Sequence, residues 1–387
     1  MNKMKNNLPI LTITFIERLA FYLFNGGLIL YLISGDNISQ EKSFSIFSVF
    51  KILIYSLPVI MGIVSDLADR KKVFKIGLII SIVGYALVPI LAFNYWLLII
   101  SIVTLAIGIA IIRPNIPVFI GDNVSQTGND KRFFRDFILM MFFVSLAPMI
   151  VNGINNSFTD KTLIIAIITS SILMLIVFLI FHFITISNYS QENSDNNIKL
   201  KDSIGLLITF FIVSIIVMIL TNNISPRLAI ETEDTKLTFQ NINNFFSVPL
   251  TIILLIILAF KAIKIQLNTL MFMLGAATIG FALIFLSVDF KELSNFSFSP
   301  DSKILIIVLF AVVETVFFPI ITLFIYRIST RYKGFVFGLY YSLVAWIGYT
   351  FSRMELNKNY LLIPIIFLII IGVIMILKRN KIKNISA

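Results

Sequence analysis

The chain has 387 residues, 58% of them hydrophobic and 13% charged, and a mean hydropathy of +0.97. It contains no cysteine and a single histidine, His182, which excludes disulfides, thiolate metal sites, thiol catalysis and any histidine-based metal cluster. The 31 Lys and Arg exceed the 20 Asp and Glu by a formal charge of +11, a balance that points to nucleic acid only if the charge is gathered on one surface.

It is not gathered. Apolar runs near 20 residues recur along the whole length, the mark of a polytopic helical membrane protein. The predicted spans are 8–33, 43–65, 74–93, 95–117, 137–155, 162–187, 203–222, 242–260, 267–288, 303–326, 334–353 and 360–377. These are twelve transmembrane helices, an all-α integral membrane fold, and with the N-terminus inside the C-terminus is inside too. Counting span-end residues with the loop they adjoin, inside segments hold 20 Lys and Arg, outside loops 8, and the spans three. That bias sets orientation and attracts anionic lipid; no nucleic acid is expected as a partner. The basic tail, Lys378, Arg379, Lys381 and Lys383, belongs to the same effect. The N-terminus runs into span 1 without a small-residue cleavage site, so no removed signal peptide is expected.

Span 1 carries Thr14-Phe15-Ile16-Glu17-Arg18 at its middle. Each charge there costs roughly 2.5–3.5 kcal/mol on insertion scales, so such residues usually face a partner or a water-filled path. Residues at i, i+3 and i+4 share a helix face, which aligns Thr14, Glu17 and Arg18, with Tyr22 a turn further on. On span 2, Lys51 and Tyr55 share a face in the same way. The loop after span 2 reads Gly62-Ile63-Val64-Ser65-Asp66, then Asp69-Arg70-Lys71-Lys72. Gly62 permits close helix contact, Asp66 can accept from helix-end amides, and the basic residues can meet headgroups or a facing helix. Two further intramembrane charges follow, Arg113 in span 4 and Glu314 in span 10. Between spans 6 and 7, residues 188–201 (NYSQENSDNNIKLK) form the most polar stretch in the middle of the chain. This cytoplasmic linker is expected to join an N-terminal six-helix bundle, 1–187, to a C-terminal one, 202–387. No nucleophile–base pair or metal constellation is legible, so an enzyme is not expected and no cofactor is implied.

Twelve spans as six plus six around a polar linker resemble the major facilitator superfamily, in which the substrate cavity lies between the halves near the midplane. The Gly62–Asp66 loop is similar to its cytoplasmic G-x-x-x-D motif, with Leu67 where an Arg is usual. Within that superfamily the chain resembles the proton-dependent oligopeptide transporter family. Thr14 to Tyr22 looks like its E-x-x-E-R-F-x-x-Y motif. Ile112-Arg113-Pro114-Asn115 with Gly121-Asp122 resembles K-P-N followed by G-D. Phe239-Gln240-Asn241-Ile242-Asn243 is close to F-Q-x-x-N. Glu314 to Pro319 matches E-x-x-x-x-P, and Gly338-Leu339-Tyr340 stands where G-L-W is usual.

The resemblance implies proton-coupled uptake of di- and tripeptides by alternating access, by a monomer in a bacterial inner membrane with both termini cytoplasmic. Its partners would be a small peptide, protons and membrane lipids. It assigns proton coupling to Glu17, Arg18 and Glu314. It assigns substrate contact to Arg113, Lys51, Tyr22, Tyr55, Asn115, Asn243, Glu314 and Tyr340. Gating falls to Gly62, Asp66, Arg70, Arg113 and Glu314, with Glu314 pairing with Arg113 as the halves rock. Several positions depart from the pattern. The first motif Glu is Thr14, the Arg expected seven residues after Arg18 is Asn25, and span 7 has no carboxylate. The expected span 4 Lys is Arg113, which keeps its charge but does not deprotonate. These departures leave open another small anion or zwitterion as substrate, such as an amino acid, nitrate or organic anion, and transport without a proton.

Overall fold

The structure is a computed structural model. It describes residues 7–34, 39–91, 94–125, 130–155, 160–183, 200–224, 228, 230–231, 236–237, 239–259, 266–293, 299–329, 332–352 and 358–379. Twelve helices run through them: α1 Leu8–Ser34, α2 Gln40–Leu67, α3 Arg70–Leu91, α4 Tyr95–Ser125, α5 Asp130–Asn155 and α6 Asp160–Phe183. After these come α7 Leu200–Ile224, α8 Phe239–Ala259, α9 Leu267–Leu293, α10 Pro300–Ile328, α11 Lys333–Ser352 and α12 Lys358–Lys378. Each coincides with one predicted span. Nine are long and apolar enough to cross a membrane, and α8, α11 and α12 contain shorter apolar stretches. In α7 to α8, β1 (Ile230–Glu231) and β2 (Lys236–Leu237) pair antiparallel.

Hydrocarbon offers no water to satisfy a backbone, so an apolar run crossing it folds as helix. The helices are apolar on their outer faces as well as their inner ones. On α6, Ile164, Ile168, Ile172, Leu175 and Leu179 recur at helical spacing and are all exposed, as a surface solvated by lipid requires. Two helices outrun their predicted spans by the most. The first, α4, continues through Pro114 and Pro117 to Ser125. Each proline deletes one amide donor, to the carbonyls of Ala110 and Arg113 respectively, without ending the helix. The second, α5, begins seven residues before residue 137 because the charged Asp130–Asp136 segment is helical although it is not apolar.

The chain divides into two compact units. Unit 1 comprises residues 1–126, 143–189 and 329–342; unit 2 comprises 127–142, 190–328 and 343–387. The expected linker, 188–201, lies outside the described residues except for Leu200 and Lys201. Within unit 1, α3 packs on α4 and α6, α1 on α6, and α2 on α4. Two aromatic clusters fill it: Phe24 edge-on to Phe50 and Tyr85, and Phe74 against Phe119 and Phe181. Within unit 2, α9 packs on α12, and α10 packs on α8 and α9, around Phe281, Phe285, Phe310 and Phe317.

Candidate functional site: buried charges on α1, α2 and α4

Unit 1 gathers the span 1 charges with those of α2 and α4. The Glu17 side chain is 1% exposed, and Arg18 Nε lies 3.3 Å from its Oε2. The pair is ionic without hydrogen-bond alignment, since neither carboxylate oxygen of Glu17 accepts from a protein group. One turn earlier, Thr14 donates its hydroxyl to the Ile10 carbonyl at 2.9 Å. The position that departs from the motif is therefore satisfied within its own helix.

Phe21 is the centre of this region. Arg113 projects from α4 with its guanidinium carbon 4.3 Å from the Phe21 ring centroid, and only 8% of the residue is exposed. Its Nε has no hydrogen-bond partner. Lys51 Nζ lies 5.9 Å from the same ring and 5.0 Å from Phe47, and donates to Asn25 Oδ1 at 2.7 Å. Cation–π contacts of this kind are worth about 2 kcal/mol when desolvated, less than burying a charge costs. Among the described residues of unit 1 no carboxylate pairs with Lys51 or Arg113. Tyr22 packs edge-on against Phe21, and Tyr22 and Tyr55 lie within electrostatic reach of Arg18 and Arg113.

Two tyrosines not singled out from the sequence join them. Tyr85, fully buried on α3, lies within electrostatic reach of Glu17, Arg18 and Arg113, and Tyr341 within reach of Arg18 and Arg113. Tyr341 is one residue past Tyr340, which is itself buried and in ring contact with it. Asn115, by contrast, is fully buried and engaged at both ends of its amide. Its Oδ1 accepts from Ser65 at 2.5 Å and its Nδ2 donates to the Ile111 carbonyl at 2.7 Å. It fastens α2 to α4 and keeps one further donor and one further acceptor site.

A second set of charges in unit 1 ties α2, α3 and α4 to the start of α11. The Asp66 side chain accepts the Gly334 amide at 2.9 Å and the Phe335 amide at 2.8 Å. The first amides of a helix have no partner within it, so this carboxylate caps α11 and meets the positive end of its dipole. Arg70 donates to Asp66 at 2.6 Å and to Asp122 at 3.2 Å, and Lys333 donates to Asp122 at 3.1 Å. The helices approach closely where Gly62 meets Gly334: a Cβ on Gly62 would come within 2.9 Å of the Phe335 amide nitrogen. Lys333 and Asp122, part of this network, carried no gating role in the sequence reading.

In unit 2, Glu314 on α10 accepts from Asn243 Nδ2 on α8 at 2.5 Å. Asn243 is 2% exposed, and its Oδ1 has no partner. Phe239, Gln240 and Asn241 have side chains outside the described residues. Glu314 and Arg113 belong to different units, and each is described within its own. Among the described residues no group of three His, Cys, Asp or Glu could hold a metal ion.

The described residues form a multi-pass helical membrane architecture with buried ion-pairing side chains and a capped, glycine-lined helix crossing. The chain belongs to the Major Facilitator Superfamily, whose family model matches residues 10–353. Among curated proteins, dipeptide and tripeptide permease A of Chromobacterium violaceum is 26% identical over 142 residues, 36% of this chain and 28% of that protein. The chain thus matches little more than a quarter of that relative's length. Among solved structures, a POT family transporter in complex with thioalcohol conjugated peptide superposes with a TM-score of 0.64 at 16% identity, covering 97% of this chain and 96% of that one. The transporter FucP in its outward conformation gives a TM-score of 0.66 at 12% identity, covering 96% and 98%. At these identities the structural likenesses show the fold.

Proposed function

We propose that this protein is a secondary transporter that takes up di- and tripeptides together with protons by alternating access. The observation that carries this reading is the unit 1 cluster, in which Glu17 and Arg18 pair at mid-helix while Arg113 sits buried with no carboxylate partner among the described residues of that unit. A zwitterionic peptide needs a cation for its carboxylate and an acid for its amino group. Arg113 and Arg18 supply the first, with Arg suited to bidentate contact, and Glu314, steadied by Asn243, supplies the second. Tyr22, Tyr55 and Tyr340 add hydrogen bonds and ring surface. Glu17 is the proton carrier: once protonated it no longer holds Arg18, whose charge is then released to the substrate. Gly62, Asp66 and Arg70 form the gate that opens and closes the start of α11, with Arg113 and Glu314 sensing the substrate. The named similarity to a dipeptide and tripeptide permease supports this substrate class.

The site of action is a bacterial inner membrane, with both termini cytoplasmic and the protein working as a monomer among anionic lipids. The exposure of Lys72, 81% at its side chain, supports a contact with their headgroups. A second reading, a carrier of another small anion or zwitterion without proton coupling, draws on Thr14, whose hydroxyl is committed to Ile10.

Counterflow tests the peptide reading. Purified protein in liposomes loaded with unlabelled dialanine is diluted into trace labelled dialanine. Transient accumulation of label is expected, well above protein-free liposomes and competed by excess unlabelled peptide. Label that merely equilibrates, unaffected by competitor, would favour the second reading.

A further inference from the structure

The cluster around Phe21 holds more positive charge than a neutral peptide calls for. Arg18, Lys51 and Arg113 stand against one carboxylate, Glu17, and that carboxylate is spent on Arg18. Lys51 is the unusual member. It reaches from α2 to donate 2.7 Å to Asn25 on α1, the position at which the motif of span 1 leads one to expect an arginine. The amide is neutral and leaves the ammonium charge unopposed. On the same Phe21 ring lies Arg113, nine-tenths buried, with Nε lacking any protein partner. Arg113 is buried and Lys51 half-buried; two cations against one ring repel each other, and neither gains from the other's presence unless an anion joins them.

We propose that Lys51 supplies from α2 the cation that position 25 lacks, and that Lys51 and Arg113 together select a substrate with an acidic side chain besides its terminal carboxylate. This inference rests on the peptide reading and narrows it to acidic peptides. Arg113 offers a planar fork for one carboxylate, while Lys51 offers a compact ammonium with three donors, one of them held by Asn25. The ring beneath shields Arg113, and Lys51 in part, from water, which strengthens attraction for an anion. Asn25 acts as a positioning residue: it orients the Lys51 side chain without adding charge.

The test is inhibition of labelled dialanine counterflow by unlabelled alanyl-glutamate, dialanine and alanyl-lysine. The wild-type protein should be inhibited by alanyl-glutamate at about tenfold lower concentration than by dialanine, and least by alanyl-lysine. Lys51→Met should remove the advantage of alanyl-glutamate, and Lys51→Arg should keep it. Asn25→Arg added to Lys51→Met should restore it by returning the cation from α1. A merely structural lysine would change total activity in these variants and leave the order of the three peptides intact. Equal inhibition by neutral and acidic peptides in the wild type, or an acidic preference that survives Lys51→Met, overturns the proposal while leaving peptide transport standing. The wild-type comparison decides even if Lys51→Met fails to fold. If labelled dialanine shows no counterflow, labelled alanyl-glutamate is used directly. Its counterflow upholds the proposal, and its absence removes the peptide reading and this inference together.

Discussion

Arg113→Leu is expected to lower dialanine counterflow by between about tenfold and a hundredfold without lowering thermal stability. The two halves of that expectation come from the same burial. A hydrogen bond to a charged group is worth about 1.5–3 kcal/mol, and each 1.4 kcal/mol is a factor of ten, which sets the loss of substrate binding. The free protein, however, holds this guanidinium in a largely buried site with an unpartnered Nε and an aromatic ring as its main contact. Exchanging such a charge for an apolar side chain removes a desolvation cost, so the melting temperature should hold or rise. Arg113→Lys should retain part of the activity, because the charge survives but the fork does not. Counterflow within twofold of wild type in Arg113→Leu, or a marked fall in melting temperature, would mark Arg113 as structural.

Asp66→Asn should have the next largest effect, and of the opposite kind. Asp66 accepts two α11 amides and an Arg70 donor, and its side chain is fully buried. An amide in its place offers one acceptor where two oxygens now serve three donors, and it leaves Arg70 with Asp122 alone. Breaking a buried pair from one side costs about 3–5 kcal/mol, so the closed arrangement of α11 loses population. Counterflow should fall at least tenfold, and hydrogen exchange at the Gly334 and Phe335 amides should quicken. Asp66→Glu, longer but still anionic, should recover part of both. Unchanged exchange at those two amides would mean that the carboxylate does not govern the start of α11.

Much of this arrangement can be read from the sequence, for reasons of scale. A helix must span hydrocarbon, so twelve apolar runs translate directly into α1–α12. The cost of an intramembrane charge made Glu17, Arg18, Arg113 and Glu314 visible without any partner being known. What cannot be read is set by distance along the chain and by rotation around a helix. Lys333 and Asp122 are 211 residues apart, and nothing local to either announces the other. Lys51 and Asn25 are separated by 26 residues; the absence of an expected arginine at Asn25 was legible, and the lysine that reaches it was not. Tyr341, one step past Tyr340 and also within reach of Arg18 and Arg113, is marked by no motif of its span. Asn115 is similar: its motif is legible, and its bonds to Ser65 and the Ile111 carbonyl are not. The extension of α4 past residue 117 was hidden because the polar Gly121–Ser125 stretch is helical without being apolar.

The central claim is that peptide uptake is driven by protons carried on Glu17, and one measurement addresses it most directly. Labelled dialanine uptake is followed into liposomes with and without an inward proton gradient, for the wild type and for Glu17→Gln. The account predicts that the wild type concentrates peptide only when the gradient is applied. Glu17→Gln should exchange peptide at a rate comparable to wild type yet fail to concentrate it. Accumulation by Glu17→Gln equal to that of the wild type, or wild-type uptake indifferent to the gradient, would contradict it.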